Sequence, residues 1–100
     1  MGEALSGIRV VDVTNNQAGP SCGQMLAWLG ADVIKVEEPG RGDIARHTHR
    51  DRPDSDSLFY LSFNANKKSL PLNLKHPRAK EAFRKLLATA DVLLENFGPG

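Results

Sequence analysis

The stretch from Ile8 to Glu37 constrains the fold more than any other part of this chain. An apolar run (Ile8, Val10, Val11, Val13) leads into a polar loop, Thr14-Asn15-Asn16-Gln17-Ala18-Gly19-Pro20. A helix rich in small residues follows from Ser21 to Leu29 and stops at Gly30. A second apolar run, Val33-Ile34-Lys35-Val36, ends on Glu37. Strand, loop, helix and strand within about thirty residues is the length of one β-α-β unit. A helical crossover joins parallel strands, and open parallel sheets bind ligands beyond the carboxyl ends of those strands. The unit therefore predicts both a sheet and the place, around Gln17, where chemistry should be sought.

A second unit echoes the first. Ser69 to Leu74 alternates, with Leu70, Leu72 and Leu74 on one face, and Pro71 points to an edge strand or to the start of the strand. His76-Pro77 opens a helix whose Ala79, Ala82, Phe83, Leu86, Leu87 and Ala90 recur at helical spacing. Asp91-Val92-Leu93-Leu94-Glu95 then reads as the next buried strand. Between the units, Glu38 to Ser57 is a long loop rich in Pro, Gly, Asp and Arg, of the kind that tends to be functional. Leu58 to Phe63 reads as a short helix and Asn64 to Lys68 as a polar turn. The expected class is α/β: a Rossmann-like parallel sheet flanked by helices. Because Asn96-Phe97-Gly98-Pro99-Gly100 follows a strand that still lacks a covering helix, residues 1–100 read as the N-terminal portion of a larger domain.

Composition narrows the function. Lys and Arg (13) nearly balance Asp and Glu (12), giving a net charge of +1. That is not the basic field that nucleic-acid binding requires. No apolar stretch is long enough to span a membrane, and Met1 to Leu5 lacks the pattern of a signal peptide. Cys22 is the single cysteine, so no internal disulfide forms, and a reducing cytoplasm is the simplest compartment. At the start of the first helix, Cys22 reads as a small buried residue packing that helix on the sheet.

The loop residues offer several chemistries. A Gly-containing turn between strand and helix, with an acid ending the next strand, hints at a dinucleotide site with Glu37 on a ribose. The glycine fingerprint is missing, however, because Gly19 and Gly23 stand four apart. The helix start can still hold an anion, and Gln17 beside it can orient a carboxylate or oxyanion. His47 and His49, with Arg46, Arg50 and Arg52, read as a solvated loop face rather than a metal site. Lys67, Lys68 and Lys75 are candidate phosphate contacts at the sheet's carboxyl edge.

Six ordered strings go further. They are Gln17-Ala18-Gly19-Pro20-Ser21-Cys22, Leu29-Gly30-Ala31-Asp32-Val33-Ile34-Lys35-Val36-Glu37, Gly40-Arg41-Gly42-Asp43, Ser57-Leu58-Phe59-Tyr60, Asn64-Ala65-Asn66-Lys67-Lys68-Ser69 and Glu95-Asn96-Phe97-Gly98-Pro99-Gly100. Together they resemble the class III coenzyme A transferases, in order from Gly7 to Gly100. Within that family the likeness is greatest to members that move CoA from formyl-CoA to oxalate, giving oxalyl-CoA and formate.

The resemblance implies covalent catalysis through an aspartyl-CoA thioester, with the nucleophilic aspartate beyond Gly100. It implies that Gln17 supports the reaction by placing the reacting carboxyl groups, with Ala18 beside the thioester. Leu72, Asn73, Leu74 and Lys75 would line the nucleotide end of the CoA pocket, and Asn96, Phe97 and Gly98 the pantetheine or adenine portion. Glu38 would also line it, although relatives often carry Arg there; a carboxylate repels CoA phosphate, and Arg41 could substitute. The CoA thioester is a substrate on this reading; no prosthetic group and no metal are implied. The partners are an acyl-CoA, a small carboxylic acid and a second copy in an interlinked homodimer, with no nucleic acid or membrane. The alternatives are an α-methylacyl-CoA racemase-like enzyme, and a fragment with no turnover alone.

Overall fold

The computed structural model describes residues 3–99. Strand β1 (Arg9–Asp12) leads to helix α1 (Ala18–Trp28) and strand β2 (Asp32–Glu37). A 3-10 turn (Ile44–Arg46) and helix α2 (Leu58–Phe63) interrupt the path to strand β3 (Lys68–Pro71). Helix α3 (Pro77–Leu87) and strand β4 (Val92–Leu94) complete the described elements. All pairings are parallel, in the order β3-β2-β1-β4, so the chain has the expected α/β architecture.

Alternation along the central strands divides the core in two. Val10 and Val33, paired across β1 and β2, pack with Ala27 and Ala31 on the α1 face. Val11, Val13 and Val36 face the other way, against Phe83, Leu86 and Leu87 of α3. The two helices cover these faces differently. α1 buries Pro20, Gly23, Gln24 and Ala27, a stripe of mostly small side chains that brings the helix close to the sheet. A Cβ on Gly23 would stand 2.6 Å from Asp12 Oδ2. α3 instead lays long apolar side chains on the sheet and fully buries none of them.

Several boundaries and exposures differ from those the sequence predicts. α1 begins at Ala18 rather than Ser21, because Pro20 in the first turn lacks only an N–H that would have no helical partner there. Cys22 is exposed, not buried, since it lies off the Pro20-Gly23-Gln24-Ala27 stripe. The ladder of β3 ends at Pro71, the edge residue, yet Leu72 and Leu74 continue the face of Leu70 against Val11, Val13 and Val36. Within the described residues β4 is not a buried strand: it pairs there with β1 alone, and Val92 and Leu93 are 36% and 48% exposed. The short helix at Leu58 forms as expected, its first turn capped by Ser57 Oγ, which accepts from Tyr60 N at 3.0 Å.

Candidate functional site

The α1 face of the sheet changes character along its length. At the amino side it presents Val10 and Val33; two residues on, the paired positions are Asp12 and Lys35, followed by Glu37. These charged groups lie buried at the carboxyl ends of β1 and β2, and the Glu38 to Ser57 loop supplies two of their partners, Asp43 and Arg46. Lys35 Nζ donates to Asp43 Oδ2 at 2.8 Å, both side chains at most 1% exposed. Lys67 Nζ donates to Asp12 Oδ2, the Pro20 carbonyl and Asn64 Oδ1, each at 2.8 Å. Burial pulls the Lys67 ammonium pKa below its usual value, and Asp12 offsets that only in part.

Glu37 anchors the third unit. It accepts from the Asp43 N–H at 2.8 Å, from Arg46 Nε at 2.8 Å and from a terminal Arg46 nitrogen at 2.7 Å. Burial pushes this carboxyl up, but Arg46 and the Asp43 N–H outweigh it and hold the pKa at about 2. The Arg46 guanidinium also stacks 3.9 Å from the Tyr60 ring centroid and donates to the Tyr60 hydroxyl. Tyr60 in turn donates to Glu37, and burial, reinforced by the Glu37 charge, pushes the phenol well above its ordinary pKa. Gly42 threads through here with φ +70, and a Cβ on it would stand 2.7 Å from Glu37 Oε2. Glu37 is thus an internal structural acid, which accounts for it without any ribose.

Above this layer lies the loop between β1 and α1. Thr14 is tied to Asp12 Oδ1 through both its N–H and its hydroxyl. Lys35 Nζ donates to the Thr14 carbonyl at 3.1 Å, and the Asn16 N–H donates to Asp43 Oδ1 at 2.8 Å. Asn15 exchanges two hydrogen bonds with the Asn96 amide, so that side chain stitches the β1 and β4 loops together. Gln17 follows in the N-cap position of α1. Its carbonyl accepts the Ser21 N–H at 2.9 Å, while its side chain makes no capping hydrogen bond and is exposed.

A cavity of about 320 Å³ opens beside this loop. Glu38, Leu72, Asn73, Leu74, Lys75 and Phe97 line it with Val13, Asn15 and Val36. Segments after β1, β2, β3 and β4 therefore converge at the carboxyl edge, where parallel sheets place ligands. Of the other candidates, Gln17 and Ala18 stand at the start of α1, just past Asn15, and do not line this cavity; nor do Asn96 and Gly98. Among the described residues, Lys75 is the one cation in the cavity lining, which also includes the acid Glu38. Arg41 lines a neighbouring cleft with Glu38.

Two of the candidate phosphate contacts are used elsewhere. Lys67 is spent on internal acceptors, and Lys68, at the amino end of β3, pairs with Asp32 at 2.9 Å. In the long loop, His47 Nε2 lies 3.0 Å from the Arg41 carbonyl, and His49 packs edge-on against Phe59.

A family model described as CoA-transferase family III matches residues 5–100. The chain belongs to that family. It is 55% identical over 100 residues to formyl-CoA:oxalate CoA-transferases of Escherichia coli (strain SE11) and Shigella boydii serotype 18. Those matches cover all of this chain but 24% of each relative, so the chain spans about a quarter of their length. Among solved structures, Rv3272 from Mycobacterium tuberculosis (orthorhombic form) is 44% identical with a TM-score of 0.89, over 99% of this chain and 28% of that one. A CAIB/BAIF family protein from Brucella suis is 36% identical with a TM-score of 0.88, over 97% and 26%.

Within this family III chain, sequence reasoning did not single out Asp12, Lys35, Asp43 or Tyr60. Only Lys35 carried a signal of its own: an ammonium at a core-facing position inside the apolar run Val33 to Val36. A charge there demands a partner.

Proposed function

We propose that the intact protein is a CoA-transferase that moves CoA from formyl-CoA to oxalate, and that this chain forms one wall of its CoA site. The observation that supports this most is the convergence of Glu38, Leu72, Asn73, Leu74, Lys75 and Phe97 on one cavity at the carboxyl edge. These positions come from three separate segments and are six of the ten that the resemblance assigns to CoA. Family membership and the name of the 55% identical relatives supply the reaction.

Gln17 is the supporting group for the reaction on this reading. Its amide is free at the helix start and can donate to one carboxyl oxygen of the reacting acid. The nucleophilic aspartate lies outside these hundred residues. That agrees with Asp12 and Asp43, the carboxylates beneath the loop, which are buried and held by lysines. Ala18 borders the thioester, while Asn96 and Gly98 frame the pocket rim, Asn96 by fixing Asn15. At position 38 the carboxylate leaves Lys75 and Arg41 as the cations available to CoA phosphates. The reaction takes an acyl-CoA and a small carboxylic acid in the cytoplasm and needs no resident metal or prosthetic group. Pairing into an interlinked homodimer accords with the exposed Met25 and Trp28 on α1 and Leu29 just past its end. No helix among the described residues is long and apolar enough to cross a membrane.

The test is direct. The intact protein, given formyl-CoA and oxalate, is expected to yield oxalyl-CoA, whereas the isolated hundred residues yield none. Gln17→Ala in the intact protein is expected to lower turnover more than affinity for the acyl-CoA. Failure of the intact protein to form oxalyl-CoA would sink the substrate assignment, and turnover by the isolated chain would sink the placement of the nucleophile.

A further inference from the structure

We propose that the buried Lys35–Asp43 pair is a positioning device for the Gln17 loop and sets how Gln17 meets the reacting carboxyl group. This rests on the role given to Gln17 above. Both residues direct hydrogen bonds at that loop rather than only at one another. Asp43 divides its oxygens: Oδ2 takes the Lys35 ammonium, and Oδ1 takes the Asn16 N–H at 2.8 Å and the Ala45 N–H at 2.9 Å. Lys35 adds the Thr14 carbonyl at 3.1 Å. The backbone is thus gripped at 14 and 16, and Gln17 is the next residue.

The grip has conformational work to do. Asn16 sits at φ 74, in the left-handed region that a side chain adopts at a cost. Its N–H finds its partner in the buried Asp43 carboxylate, a charge-assisted and directional bond. Stability alone does not call for two buried charges, because a well-packed apolar pair of similar volume serves as well or better. What an apolar pair cannot do is hold the Thr14 carbonyl and the Asn16 N–H. The Asp12–Lys67 pair plays the matching part on the other flank, through Thr14 and the Pro20 carbonyl.

The test uses the intact protein with the double substitution Lys35→Met/Asp43→Leu. Expected is a protein still folded at the assay temperature but with a lowered melting temperature, because the Asn16 and Ala45 N–H groups lose their acceptor. Its kcat is expected to be lower by roughly 10- to 100-fold, with a KM for the acyl-CoA within about twofold. Amide hydrogen exchange over Asn15 to Gly19 is expected to quicken by about tenfold while α3 is unchanged. Lys35→Met/Asp43→Asn, which keeps an acceptor for Asn16, should recover part of both losses. If the apolar pair does not fold, this second variant carries the same readings, with smaller changes expected. In a Gln17→Ala background either pair substitution should cost less than about twofold more, because the pair acts through Gln17. Unchanged kcat and unchanged loop exchange in a folded pair variant overturn the inference, as do losses that add to those of Gln17→Ala. If Gln17→Ala by itself leaves turnover intact, the role of Gln17 falls. The exchange reading then decides whether the pair holds the loop: quickening supports the grip, and no change overturns it.

Discussion

At the amino ends of the strands, Asp32 meets Arg9 at 3.1 Å and Lys68 at 2.9 Å, among side chains 31–73% exposed. At the carboxyl ends, Lys35 meets Asp43 and Lys67 meets Asp12 at 2.8 Å, among side chains no more than 2% exposed. Distances are alike; surroundings are opposite. The outer pairs remain in water, where such contacts contribute little and salt weakens them. The inner pairs are surrounded by helix and loop, where loss of one partner strands a charge. The difference teaches where this fold demands accuracy. Charge is buried at the end of the sheet that carries the cavity and the Gln17 loop, and left in solvent at the end that carries neither.

The comparison can be broken at its strongest point first. Asp43→Ala, leaving Lys35 buried and unpaired, is expected to cost about 3–5 kcal/mol by denaturant unfolding. A cost no greater than that of Asp32→Ala would end the contrast between the two ends.

Acid probes the same layer through Glu37. Its folded pKa of about 2 lies below the ordinary 4.5, so the ion pair's contribution is present in full above pH 4.5. It is lost as pH falls from there toward 2, as the carboxyl takes up a proton that the unfolded chain already binds. Acid titration of Arg46→Met should therefore show a shallower loss of stability across that window than the parent.

Gly23→Ala sharpens the contrast from the helix side. Its methyl would meet Asp12 Oδ2 at 2.6 Å and Lys67 Nζ at 3.2 Å, so α1 must back away or the pair must separate. A loss of about 1–3 kcal/mol is expected, as for other overpacked sites. An unchanged melting temperature would show that the α1 face yields more readily than its packing indicates. The smallest effect belongs to the exposed end: Asp32→Ala should cost under about 1 kcal/mol at low salt and almost nothing at high salt.

Much of the scaffold was legible from hydrophobic pattern alone. β1 and β2 announce themselves as short apolar runs and α3 through apolar residues recurring near 3.6, the patterns that burial on two faces and on one face produce. α1 was less so. Its contact stripe of Pro20, Gly23, Gln24 and Ala27 carries little hydrophobic contrast, and Cys22 was therefore assigned to the wrong face. β4 departs from the expected burial within these residues because an apolar run reports affinity for a core without reporting whether the neighbours that cover it lie in the same segment. Of the positions the family resemblance assigns to CoA, the structure brings Glu38, Leu72 to Lys75 and Phe97 together and leaves Gln17, Ala18, Asn96 and Gly98 off the cavity wall. The ionic layer was not legible, since Asp12 finds Lys67 and Glu37 finds Tyr60 only through the folded topology. Lys35 is the exception in principle: a charge within an apolar run shows that a partner exists, though not which one.

Tyr60 gives this layer an optical handle. It is the only tyrosine in the hundred residues, and its hydroxyl and ring are both engaged, by Glu37 and Arg46. Its ionisation is pushed to strongly alkaline solution. In this segment, tyrosinate absorbance that rises at ordinary phenol values would mean that the clasp beneath the cavity has opened. A single chromophore thus reports on a charge arrangement that has no colour of its own.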